Sequence, residues 1–519
     1  MVCISITWRI VFEKKIFGIL ICIILIITII PVVESQKDNK LFTLSSNNFQ
    51  NGSYEGWTEI QKLISSNSSS NFFGYSVSLN GDTALIGAPW YKDALLGTAY
   101  IFTRNGIIWT QQQQLFAADG AWGGLFGISV SLDGNDALIG AQGYDNYIGA
   151  VYVFTLSTNT WVQKARLQSL DGERNFFGCS VSLDGDTALI GASADGDNGE
   201  YSGAAYVFTR NGTSWTQQAK LLASDGEAYD YFGNSVSLSN NTALIGAFGD
   251  DDYKGSVYVF TRNGTTWTQQ AKLLASNGPT EDNFGYSISL FGDTALIGAP
   301  SPPYKDNKDV DSGSAYVFIR SGTNWTQQQQ LFAADGAWGG LFGISVSLDG
   351  DTALVGADWD DDNGNDSGSV YVFNRVGTNW TQRQKLLTSD GIAGDDFGIS
   401  VSLDGDTALI GAFNKESAYL FTKFNLTFSI AGGSGVNIKI TNKGKSNAFS
   451  VPWKIHVQGG ILKLFNKTMN GKINLQVNET KTVGTGRLFG LGRITITVIV
   501  AKEEEIIGAI QFFIFSIVK

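Results

Sequence analysis

Carboxylates and aromatic rings are the two kinds of side chain in this 519-residue chain that are grouped densely enough to do chemistry. The carboxylates come in short runs: Asp195 and Asp197, then Asp250, Asp251 and Asp252, then Asp358, Asp360, Asp361, Asp362 and Asp366. With backbone carbonyls, such runs offer the roughly six to eight oxygens that calcium takes. They lack EF-hand spacing, however, and solvated loop tips account for them without any ion. Calcium is therefore the only cofactor the sequence suggests. The rings of Trp90, Tyr91, Trp122, Tyr144, Tyr229, Tyr253, Tyr304, Trp338 and Trp359 fall in the same irregular stretches. Rings present large apolar area at low entropic cost, and beside carboxylates they suit recognition of a carbohydrate or protein ligand.

Catalytic constellations are hard to assemble. The single histidine, His456, lies far from the acidic runs on an alternating strand that turns it to solvent, so neither a Ser-His-Asp triad nor a His-based zinc site can form around those runs. Cys179 reads as packing. An enzyme is not expected; the alternative is an extracellular glycan hydrolase or lyase using a pair of carboxylates. The formal net charge of −12 excludes a nucleic-acid role, because phosphate binding rests on clustered Lys and Arg.

These groups must be positioned by a repeat. Phe-Gly recurs at Phe73, Phe126, Phe177, Phe232, Phe284, Phe342 and Phe397, and each pair is followed 14 residues later by Gly-Ala. A Trp precedes each Phe by 16 or 17 residues, at Trp57, Trp109, Trp161, Trp215, Trp267, Trp325 and Trp380. Alternation such as Ser180-Val181-Ser182-Leu183 has the period of half-buried strands. Four strands fit each unit: the first starting at Phe-Gly, the second ending at Gly-Ala, the third at Ala205 to Phe208 and the fourth at Trp215 to Leu221. Asp184-Gly185 and Asn211-Gly212 supply type I′ hairpin turns. Seven four-stranded sheets stacked radially predict an all-β, seven-bladed propeller rather than a solenoid. The loops after Gly-Ala and before Phe-Gly then share one rim, and the tight turns share the other.

The last unit ends at Phe421 with no following Trp strand, whereas an extra strand, Trp57 to Leu63, precedes the first Phe-Gly. That strand is expected to complete the seventh blade as its outer edge and lock the ring non-covalently.

Units such as FGYSVSLNGDTALIGAP, Phe73 to Pro89, resemble FG-GAP repeats, which build the propellers of integrin α subunits and many microbial surface proteins. The resemblance covers Trp57 to Phe421 and implies a propeller used for extracellular recognition. The calcium loop of integrin-like blades lies between Phe-Gly and Gly-Ala. Here that connection is a tight turn, Leu79-Asn80-Gly81-Asp82, so that site is not carried over.

At the N-terminus, Arg9, Lys14 and Lys15 precede an uncharged apolar run from Ile16 to Val33, with small residues Val33 and Ser35 at signal-peptidase spacing. Residues 1–35 are expected to be a signal peptide or N-terminal membrane anchor, followed by a linker at 36–56, with the rest secreted or at the cell surface. Eleven Asn-x-Ser/Thr sequons, Asn211 and Asn263 among them, are compatible with glycosylation there. Any contact with membrane would run through that anchor alone. Beyond Thr422 the repeat markers stop. The alternating Val436, Ile438 and Ile440, and Ile473, Leu475 and Val477, predict a β-sandwich over 422–519 that resembles CARDB-type, Ig-like modules.

Overall fold

The second strand of every unit, typified by Thr83–Ala88 (TALIGA), is almost wholly buried. A strand buried on both faces needs sheets on both sides, and the computed structural model shows them. It describes residues 43–44, 51–66, 72–90, 97–120, 123–276, 282–301, 312–336, 339–431, 437–444, 448–459, 465–484, 492–500 and 508–514. Six units are four-stranded antiparallel sheets in which the strands neighbour one another in chain order. Blade 1 spans 76–115, blade 2 130–167, blade 3 181–221, blade 4 235–273, blade 5 287–331 and blade 6 346–386.

Blade 7 takes strands Phe397–Asp404, Thr407–Ala412 and Ser417–Ala431, and its fourth strand is Asn51–Ile64 from the other end of the chain. That strand runs antiparallel to Ser417–Ala431, from Asn51 opposite Ser429 to Ile64 opposite Ser417. The ring is thus closed as the strand count predicts, with Trp57 and Leu63 buried in it.

One repeated contact seats the entering loop on its own blade, and a second ties neighbouring blades. The Phe of each Phe-Gly packs edge-on against the third-strand Tyr, as Phe73 does on Tyr100 at 5.2 Å between centroids. A first-strand serine then donates to the Phe-Gly glycine carbonyl of the next blade: Ser76 Oγ to Gly127 O at 2.8 Å, and so on to Ser400 Oγ to Gly74 O at 2.9 Å across the closure. A Cβ on Gly87 would lie 2.1 Å from Gly127 O, so only glycine permits this approach.

Two local expectations are corrected. The first strands of blades 1 to 6 begin after Phe-Gly, at Ser76 in blade 1; only blade 7 starts at its Phe. In blade 1 the residues around Phe-Gly make a turn instead, with Phe72 at φ 63° and Tyr75 N–H donating to Phe72 O at 3.0 Å. The hairpin turn predicted at Asp184-Gly185 is centred one residue later, because Asp184 still pairs with Thr187 and Gly185 (φ 56°) is its only left-handed residue. One left-handed residue at the first position is the demand of a II′ rather than a I′ turn.

The strand Ser417–Ala431 continues past the propeller and pairs with Asn437–Asn442, which pairs with Thr480–Gly484. A second sheet joins Thr43–Leu44, Gly508–Ile514, Gly492–Val500, Ala448–Gly459 and Phe465–Leu475 in that order.

Candidate functional site

The strand order sends the loops after Gly-Ala and before Phe-Gly to one rim. There the third-strand tyrosines end in polar hubs. In blade 3, Lys220 Nζ lies 2.7 Å from Asp171, 2.9 Å from Asp195 and 2.8 Å from Asp197, with the Tyr206 ring beneath it at 5.4 Å. The single Tyr206 Oη proton is shared between Asp171 at 2.6 Å and Asp195 at 2.8 Å. Lys272 likewise joins Asp225 and Asp250, and Lys385 joins Asp335, Asp360 and Asp362. In blade 7, Lys62 of the closing strand bonds Asp390 at 2.7 Å over Tyr419. In blade 2, Arg166 bonds Asp119 at 2.7 Å. Burial pushes the Asp171 carboxyl up, but hydrogen bonds from Lys220 and Tyr206 outweigh it and hold that group below the usual carboxylate range.

Each hub ties two blades, because its aspartate comes from the loop entering the blade and its cation from the blade's own outer strand. Asp119, Asp171, Asp225, Asp335 and Asp390 face Arg166, Lys220, Lys272, Lys385 and Lys62. In the other two repeats the same sequence positions carry Asn67 and Asn277, and the outer strands carry Gln114 and Gln330. Along the sequence, charge goes with charge and amide with amide in all seven repeats. That in-phase pairing is a sequence signal for the hubs that patterning of acidic residues alone misses.

Most of the carboxylates read as calcium ligands are thereby placed. Asp195, Asp197, Asp250, Asp360 and Asp362 surround lysine ammonium groups, and Asp251 pairs with Lys254 at 2.6 Å. Asp252 is exposed. Among the described residues no group of three or more His, Cys, Asp or Glu side chains is arranged to hold a metal ion.

Asp358 and Asp366 belong to a different arrangement. Asp358 is 3% exposed and its Oδ1 has no hydrogen-bond partner among the described residues. Burial, and next the negative charge of Asp396, push its carboxyl up to about 8. Burial followed by the charges of Asp366 and Asp395 raises Asp396 to about 6. Asp396 accepts from Asn414 Nδ2 at 2.5 Å, and its N–H donates to Asp366 O at 3.2 Å.

The rings form two groups. Trp90, 40% exposed, meets Phe72 at 4.9 Å, and Phe72 meets Phe413 at 5.0 Å, at the blade 7–blade 1 junction. A longer arc runs from Tyr147 through Phe176, Tyr201, Tyr231 and Phe248 to Tyr286. Tyr229 stacks on Tyr201 at 5.9 Å and donates to Glu200 at 2.6 Å, while Tyr253 lies 6.1 Å from Phe248. Tyr229, Tyr253 and Trp359 are exposed on this rim. Tyr144 is drawn into the blade 2 hub, its hydroxyl accepting from Arg166 at 2.6 Å. Tyr91, Trp122, Tyr304 and Trp338 lie outside the described residues. Tyr147, Tyr201 and Tyr231 were not anticipated; their left-handed backbone (φ 69°, 56° and 56°) sets their direction, which periodicity does not encode. Beside the arc a cleft of about 390 Å³ is lined by Asp225, Glu227, Asp230, Asp250, Lys254 and Lys272, among others. In it, burial and then Asp250 raise Asp230 to about 6, against a hydrogen bond from the Glu227 N–H.

The family described as FG-GAP repeat matches residues 57–102, 109–154, 161–208, 215–260, 267–318, 325–373 and 380–421. No curated protein matches the chain. Among solved structures, a chain titled Kuenenia stuttgartiensis hydrazine synthase aligns with a TM-score of 0.46 and 10% identity, over 69% of this chain and 98% of that one.

Proposed function

Since this chain belongs to the FG-GAP repeat family, with seven repeats closed into one propeller, we propose that it is an extracellular binding protein whose long-loop rim holds an adhesion ligand, a protein or a carbohydrate. The observation that supports this most is that Trp90, Tyr229, Tyr253 and Trp359 are all exposed on that rim, whose loops also carry the carboxylates. The tight turns on the opposite rim expose a single large ring among the described residues, Phe291. Residues 1–35 act as the export signal or anchor, and 422–519 form an Ig-like spacer; the alternating strands there support the second reading.

The test is an array of glycans and cell-surface proteins probed with the intact protein and with a Tyr229→Ala/Tyr253→Ala/Trp359→Ala variant. The wild type is expected to select a ligand that the variant loses at least tenfold. A ligand held equally by both would overturn the rim assignment. Mass-spectrometric detection of a cleaved glycan would instead favour an enzyme on the same scaffold.

A further inference from the structure

Blades 3 and 6 carry twin rim loops. Asp195-Gly-Asp197-Asn198-Gly199 and Asp360-Asp-Asp362-Asn363-Gly364 share their internal hydrogen bonds, including Asn198 N to Ser202 Oγ at 3.1 Å and Asn363 N to Ser367 Oγ at 3.0 Å. In register, Ser193, Tyr201 and Tyr231 of the first correspond to Asp358, Asp366 and Asp396 of the second. The Tyr201 and Tyr231 rings are 5.8 Å apart, so the fold brings these positions together. Where one copy stacks rings, the other masses carboxylates.

We propose that Asp358, Asp366 and Asp396 form a socket for an ammonium group supplied from outside the chain, a lysine side chain of a protein bound on the loop rim. This rests on the reading of the rim as a binding surface. Four other carboxylate clusters on the rim are completed by a lysine of the chain itself, Lys62, Lys220, Lys272 or Lys385. This one has none among the described residues: the charges acting on Asp358 are the carboxylates of Asp396 and Asp366, and those acting on Asp396 are Asp366 and Asp395. Lys415, the near cation, is held by Asp395 at 2.6 Å. The unpartnered Oδ1 of Asp358 is the acceptor left open.

The depth of the socket selects the donor. Asp366 is half-buried, Asp396 is 7% exposed and Asp358 is 3% exposed, so the carboxylates descend inward from the surface. A lysine carries its charge on a slim four-carbon stem that can follow them down. An amino sugar bears its amine directly on the ring and would be stopped at the mouth.

The test titrates the full-length protein with a fluorescein-labelled ten-residue Gly/Ser peptide bearing one central lysine, and with the same peptide Nε-acetylated. The lysine peptide is expected to bind at least tenfold more tightly, and Asp358→Asn and Asp396→Asn to abolish the difference. Each variant removes at most one charge of a formal net −12, so general attraction for a cation is almost unchanged. Equal binding of both peptides, or an undiminished preference in Asp358→Asn, overturns the socket. A rim that retains a glycan from the array while ignoring both peptides overturns the socket and spares the rim. A calcium-induced rise in melting temperature that Asp358→Asn removes, without peptide binding, overturns it in favour of an inorganic cation.

Discussion

Blade 3 and blade 6 put acidic residues on the same loop frame with opposite results. In blade 3 every rim aspartate of the frame sits against Lys220, and the inner positions are Ser193, Tyr201 and Tyr231. In blade 6 the outer carboxylates have Lys385 in the same way, but Asp358 stands where Ser193 does and no lysine among the described residues reaches it. The difference teaches that a carboxylate on this rim is structural or available according to whether a lysine among the described residues reaches it, from an outer strand as Lys220 and Lys385 do or from a loop as Lys254 and Lys415 do. Number of acidic residues alone does not separate the two.

The largest effect that would break the comparison is at the hub. Lys220→Met leaves Asp171, Asp195 and Asp197 without their cation, and losing one partner of a largely buried charge network costs about 3 kcal/mol. Calorimetry at neutral pH should show it, with partial recovery when Asp195→Asn is added. A loss under about 0.5 kcal/mol would mean the hubs do not hold the blades.

Next is Asp358→Asn, whose effect should have the opposite sign. A carboxyl raised to about 8 in the fold binds its proton more tightly folded than unfolded. Stability is therefore lost as pH climbs from the unfolded value near 4 to about 8. Relative to wild type, the variant is expected to gain about 2 kcal/mol at pH 8 and little or nothing at pH 5, the amide's own unmet hydrogen bond offsetting part of the gain. Parallel melting curves for the two proteins across that range would show that Asp358 is compensated after all.

Smallest is Gln330→Lys. It creates a hub cation in the repeat whose entering loop has Asn277 in place of aspartate, so it should change stability by no more than about 0.5 kcal/mol. A gain of 1 kcal/mol or more in chemical denaturation would show that the new lysine is stabilised without an aspartate at position 277, through Asp282, to which Tyr316 beside Gln330 donates at 2.8 Å.

The sequence carried the blade count and the closing strand because Phe-Gly, Gly-Ala and the Trp positions report backbone packing that every blade must repeat. The hubs were equally legible, but only in the exchange of Lys220 with Asp171 for Gln330 with Asn277 between copies. The aromatic arc was not. Tyr147, Tyr201 and Tyr231 project from left-handed residues, whose side-chain directions depend on neighbouring loops rather than on local periodicity.

The seam that seals the ring also sets how it bears load. Asn51 lies opposite Ser429, so both chain ends leave the propeller at the same end of one strand pair. Tension between them pulls the pair open like a zipper, one rung at a time. A tug on the rim transmitted to a single anchored end instead drags the strand lengthwise, and all its rungs resist together.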